Sequence, residues 1–178
     1  DPNFEQALID LGYDTAPING SVPTATISGV NSLFIYNKNI ADLTGIEDFS
    51  ALTDLSCNNN QLTSLDVSQN TALSQFRCYN NQLTSLDVSQ NPALIRFKCN
   101  NNQLNSLNLS NNTNLRFFEC QNNQLTNLDL SNQSLLRDLQ CYSNQLTSLD
   151  LRNNPLTDFV YSFQDPFSRV FFSIVGII

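Results

Sequence analysis

Histidine is absent from this chain, and so are methionine and tryptophan. Without histidine the chain lacks the side chain that most often moves protons near neutral pH. Its five cysteines include no C-x-x-C pair, so zinc-type and redox-type spacings are missing. Glycine occurs only five times, in no phosphate-cradling pattern, and no nucleophile motif is present. Neither an enzyme nor a bound metal or cofactor is expected. Charged residues are sparse at 13%, and eight basic against sixteen acidic residues leave a net charge of −8. That balance argues against general nucleic-acid binding. No apolar run approaches the ~20 residues of a membrane-spanning helix. The chain opens on Asp1 and holds no Met. The expectation is that an initiator, and with it a signal peptide, has been removed, placing the protein outside the cell or on its surface.

What the sequence has in abundance is repetition. Cys57, Cys78, Cys99, Cys120 and Cys141 recur every 21 residues. Each marks a copy of one template, as in Leu73 to Ala93, LSQFRCYNNQLTSLDVSQNPA. A fixed period of this size means a stacked solenoid. The first half of each repeat reads L-x-x-L-x-C-x-x-N-Q-L, and the second half L-x-x-L-D-V-S-x-N nearly repeats it. Alternation at Leu55 and Cys57, and again at Leu65 and Val67, is a strand signal. Two strands per coil predict two parallel β-sheets, and sides of equal thickness predict a nearly straight stack. Asparagine rows at Asn60, Asn81, Asn102, Asn123 and Asn144, and at Asn70, Asn91, Asn112 and Asn154 with Gln133 among them, suit corners. The cysteines read as small buried core thiols, because parallel Cβ vectors on neighbouring coils suit bridging poorly.

The first half-repeat resembles the leucine-rich repeat pattern, with Cys in the third leucine place. The nested 21-residue unit is similar to a short bacterial leucine-rich repeat class. The opening DPNFEQALIDLGYDT resembles secreted Bacteroidetes-type leucine-rich repeat proteins, and Ile40 to Ile46 resembles internalin-type repeats. The resemblance implies a β-rich leucine-rich-repeat solenoid and a protein-binding role at the cell surface. The expected organisation is an N-terminal cap with a short helix over residues 1–29, a solenoid over 30–162 and a C-terminal cap over 163–178. In the first cap Phe4, Leu8 and Leu11 are spaced for one helix face, and Gly12 can stop the helix. Seven acids against Lys38 alone make the first 50 residues the acidic pole.

Comparing repeats with one another separates a constant face from a variable one. In the second half-coil the outward Asp66, Asp87, Asn108, Asp129 and Asp150 hardly change. That row invites a calcium reading, although Asn108 interrupts it and each coil offers one carboxylate. In the first half-coil the outward positions vary freely and collect the chemistry. They supply the candidate partner site: Arg77, Tyr79, Arg96, Lys98, Phe117, Glu119, Gln140 and Tyr142. Arginine and aromatics are enriched where proteins bind proteins. A protein ligand bound through Arg77, Arg96 and Lys98 should weaken with ionic strength. Alternatives are a carbohydrate held on Tyr79, Phe117 and Tyr142, a passive spacer in a larger surface protein, and self-association through the apolar tail Val170–Ile178.

Overall fold

The computed structural model describes residues 1–157. The expected C-terminal cap, the apolar tail and the Phe159–Tyr161 end of the last coil lie outside the described residues. Each coil begins with a short strand whose middle residue points inward. These are β1 (Ser32–Phe34), β2 (Asp54–Ser56), β3 (Gln75–Arg77), β4 (Arg96–Lys98), β5 (Phe117–Glu119) and β6 (Asp138–Gln140). They form one parallel sheet in chain order. The register places Leu33, Leu55, Phe76, Phe97, Phe118 and Leu139 side by side. Each of these is essentially fully buried. Phe76, Phe97 and Phe118 stack with ring centroids 5.5 and 5.6 Å apart, contributing about 1 kcal/mol per pair beyond their burial.

Beneath the phenylalanines runs the cysteine column. All five cysteines are free and buried. Burial pushes the Cys57 thiol up to about 12 and that of Cys141 up to about 11. Desolvation raises Cys78, Cys99 and Cys120 likewise. These groups remain thiols at any physiological pH. Cys57 and Cys78 donate weakly to the Arg77 and Lys98 carbonyls of the following coil, at 3.6 and 3.7 Å.

The expected second sheet does not form: among the described residues there is one sheet, on the cysteine side of the coil. The second half-coil carries the same apolar alternation, and Val67, Val88, Leu109 and Leu130 are buried as a strand would bury them. Its backbone donors are engaged elsewhere. The Asp66 carboxylate accepts the Ser68 N–H at 2.9 Å, and Asn70 N–H bonds the Val67 carbonyl. Leu73 N–H then bonds the Asn70 carbonyl. Consecutive turns consume the groups that an inter-coil ladder would need. The equal thickness that suggested a nearly straight stack goes with the second sheet.

Coils are joined at their corners by asparagine. Asn102 Nδ2 donates to the Cys78 carbonyl at 3.1 Å and the Cys99 carbonyl at 3.0 Å. Its Oδ1 accepts the Leu83 N–H at 3.0 Å. One buried carboxamide thus ties two coils by three bonds, and Asn81 and Asn123 do the same. In the other row Asn91 and Asn112 donate to two carbonyls each, while the longer Gln133 reaches one, the Leu109 carbonyl at 2.8 Å. A separate, partly exposed row runs Asn59, Asn80, Asn101, Asn122. These residues have φ near +55°, and their side-chain amides bond one another.

Helix α1 (Pro2–Asp10) closes the first coil. Asp1 caps it, accepting the Asn3 and Phe4 N–H groups. Phe4, Ala7 and Leu8 are buried, with Phe4 against Phe49. Leu11, expected on that face, is 44% exposed, because Gly12 at φ +79° turns the chain away. Polar groups of the helix reach the first coil where a preceding coil would. Asn3 Nδ2 donates to the Asn39 carbonyl, and Asp1 Oδ2 accepts the Ala41 N–H. A second short helix, α2 (Thr24–Ile27), leads into β1.

Replacing Asn102 by Leu leaves the Leu83 N–H unpaired at a mid-stack corner and takes from the Cys78 and Cys99 carbonyls one of two donors each, Asn81 and Asn123 keeping the other. It should destabilise the fold by about 2 kcal/mol or more, lowering the melting midpoint by several degrees. Gln103→Leu on the exposed surface next to it should change little. An unchanged urea midpoint for Asn102→Leu would show the corner bonds to be dispensable. Thiol titration should find almost no reactive cysteine in the native protein and five equivalents after denaturation without reductant. Three or fewer would establish bridging.

Candidate functional site

Alternation along each strand sends the residues flanking the buried one outward. The sheet's outer face therefore carries rows of side chains in register. One row is Asp54, Gln75, Arg96, Phe117 and Asp138; the next is Phe34, Ser56, Arg77, Lys98, Glu119 and Gln140. Six of the eight candidate residues lie in these two rows. Tyr79 and Tyr142 stand in a third row just past the strand ends.

Arg77 and Lys98 are register neighbours, one strand apart. Two cations so placed repel, and the structure turns them in opposite directions. Arg77 reaches back to β2, where Nη1 bonds Asp54 Oδ1 at 2.7 Å and Ser56 Oγ at 3.0 Å. Its Nη2 bonds Gln75 Oε1 at 2.8 Å. Lys98 reaches forward to Glu119 Oε1 at 2.6 Å on β5. Arg96 lies over the Phe117 ring, its guanidinium carbon 4.3 Å from the centroid. Every basic side chain on these strands is engaged within the face itself. Three bases, Arg77, Arg96 and Lys98, stand with three acids, Asp54, Glu119 and Asp138. The face is neutral on a chain of net charge −8.

The ion pairs are half-buried, with side-chain exposures of 16–26%, and each contributes on the order of 1 kcal/mol or less to stability. Their larger effect is to fix side-chain positions before any partner arrives, which lowers the entropy cost of binding. Gln140 is joined to its neighbouring coil by Gln121 Nε2 at 3.4 Å. Two residues escaped the sequence reading. Phe34 on β1 and Tyr36 just beyond it are 47% and 50% exposed and extend the face by one coil. The alternation of Leu33, Phe34, Ile35 and Tyr36 was the available signal, masked because this coil lacks its cysteine.

The opposite side of the coil shows why its Asp row is constant. Asp66, Asp87, Asn108, Asp129 and Asp150 each accept the backbone N–H two residues on. Those bonds hold the carboxyls of Asp66, Asp87 and Asp129 below the usual carboxylate range. Asn108 does the same work uncharged, so the row needs an acceptor rather than a carboxylate. Among the described residues no group of three or more His, Cys, Asp or Glu is placed to hold a metal ion. No helix among them is long and apolar enough to cross a membrane.

No protein-family model matches the chain. A stretch of 45 residues is 49% identical to internalin J of Listeria monocytogenes, covering 25% of this chain and 5% of that protein. The solved functional domain of internalin J, described as including a cysteine ladder, is 30% identical over 90% of this chain, with a TM-score of 0.58. A leucine-rich repeat protein of Leptospira interrogans is 26% identical over 68%, with a TM-score of 0.65. Another Listeria internalin, at 24% identity over 89% and a TM-score of 0.63, shares the fold. The chain spans only 45, 33 and 51% of these three structures. With its own buried column of five cysteines, one per 21-residue coil, this chain is a β-solenoid similar to the leucine-rich repeat domains of internalins.

Proposed function

We propose that the chain is a non-enzymatic binding module, displayed outside the cell, that recognises another protein through the outer face of its sheet. The observation that carries this reading is the pre-set network Asp54–Arg77–Gln75, Lys98–Glu119 and Arg96–Phe117. Half-buried arginine and aromatic groups, held in place beforehand and ringed by polar side chains, are the arrangement of an interface hot spot. The likeness to internalins supports both the binding role and the surface location. The eight candidate residues Arg77, Tyr79, Arg96, Lys98, Phe117, Glu119, Gln140 and Tyr142 remain the proposed contact set, joined now by Phe34 and Tyr36. Residues 1–29 serve as the N-terminal cap of this module.

Neutrality of the face changes one expectation. Because Arg77 and Lys98 already have anionic neighbours, a partner need not be acidic. Affinity should change no more than about threefold between 50 mM and 500 mM salt. The decisive comparison is a pulldown from intact target surfaces with the native protein and two triple variants. Arg77→Ala, Lys98→Ala and Phe117→Ala together should weaken binding by a factor of about 100 or more. Asp66→Asn, Asp87→Asn and Asp129→Asn keep the turn acceptors, as Asn108 does, and should bind as the native chain. If the second triple loses the partner and the first keeps it, the wrong face has been chosen.

A further inference from the structure

Helix α1 takes the place of a preceding coil over the core, but it does not supply that coil's strand. β1 is the first strand of the sheet and has a neighbour on one side only. Its bonds to β2 show which groups face the other way. Ile35 N–H bonds the Ser56 carbonyl, Asn37 N–H bonds the Asn58 carbonyl, and the Asn31 carbonyl accepts the Asp54 N–H. Residues 31, 33, 35 and 37 therefore point their backbone groups toward β2, and those of Ser32, Phe34 and Tyr36 point away from it. One coil on, Asp54, Ser56 and Asn58 hold the same places, and each is bonded to the coil before it. Among the described residues nothing bonds the free side of β1. The helix reaches Asn39 and Ala41 instead.

Side-chain exposure changes at the same point. Tyr36 is 50% exposed, while Tyr79, the same residue type in the same row, is half-buried between its neighbours. Strand edges are usually guarded by charge, proline or a bulge. Residues 32–37 read SLFIYN and hold neither charge nor proline. The next charge along the chain, Lys38, is paired with Asp10 at 2.9 Å. An open, uncharged edge flanked by aromatic side chains suits an extended segment added as a further strand.

We propose that the β1 edge binds residues 170–178 of a second copy of this chain as an added strand. That segment, VFFSIVGII, has no charge and no proline, and seven of its nine residues are β-branched or aromatic, the types that favour strands. It is apolar on both faces of the alternation, matching Phe34 and Tyr36 outside and the flank of the cap inside. Neither side of the contact carries a charge, so the pairing needs no ion pair. The geometry favours a second copy. The last described residue, Thr157, bonds the Arg137 carbonyl beside β6. β1 lies five strand spacings from there, about 24 Å. To pair within one copy, residues 158–169 would have to run back along the whole stack and spend more than half of their ~40 Å reach. A copy placed beyond the helical end brings its own segment to the edge without that detour. The contact is heterologous, an edge on one copy and a tail on the other. It uses the free backbone side of β1 and none of the ion pairs, so it is independent of the proposed binding network.

Sedimentation velocity of the full chain, from about 5 to about 200 µM, should show reversible self-association with a dissociation constant below about 100 µM, little changed by salt. Phe34→Pro removes one donor from the free side and keeps the bonds to β2, since an edge strand admits proline there. Phe34→Lys puts a charge on the edge and leaves the backbone alone. Each should weaken association at least about tenfold, and so should Phe172→Asp/Ile174→Asp in the tail. Thiols that stay inaccessible in each variant report an intact stack. Mixed together, Phe34→Pro and the tail variant should form a one-to-one heterodimer that grows no further, because the pair holds one good edge and one good tail. The proposal is overturned if the native chain stays monomeric throughout, as a tail bound within its own copy would leave it. Association that survives both Phe34 variants, or a mixture that stays monomeric, overturns it equally.

Discussion

The buried asparagine at each corner is the constraint on which the stack depends. A single coil bends its backbone sharply there and strands polar groups inside an apolar column. A carboxamide both donates twice and accepts, which no aliphatic or hydroxyl side chain of that size can do. Asn102 uses that capacity across two coils at once, so a coil is satisfied only when another lies against it. This fixes the period and makes stability a property of neighbours. It also explains the work at the first coil. Asn60 accepts both the Lys38 and Ile40 N–H groups there, and Asp1 and Asn3 of the helix meet the remaining backbone.

On this rigid lattice the sheet face behaves as a set of fixed positions. Strand spacing decides which charges meet, and side-chain length decides how far they reach. Arg77 and Lys98 would repel in isolation, yet each finds an acid on the far side from the other. The result is a face that is locally neutral, polar at its rim and aromatic in places. The acid excess of the chain lies elsewhere, at the helical end and in the turns behind. Specificity on such a face comes from shape and placed hydrogen bonds more than from long-range attraction.

The period, the cysteine core and the corner asparagines were legible in the sequence because repetition exposes them: a residue kept every 21 positions has a job in every coil. The missing second sheet was harder. The two half-coils share their apolar alternation, and alternation alone cannot tell a strand from an extended arm pinned by turns. The discriminating residue was Asp66 and its equivalents, whose side chains compete for backbone N–H groups. Partner choice on the outer face was less legible still. Whether Arg77 turns toward Asp54 or Glu119 turns toward Lys98 depends on register and rotamer, which sequence spacing does not contain.

The contrast between the two sides of the coil now has a physical cause. Behind the sheet, each Asp or Asn holds a turn, and its loss would free a backbone donor in every coil. Constancy there is what folding requires. On the sheet, backbone bonds to neighbouring strands already satisfy the main chain. The outward side chains carry little of the fold's stability, so Gln75, Arg96 and Phe117 can succeed one another in one row without harm. Variation confined to positions without structural duty, on a lattice that holds them still, is what a recognition surface needs.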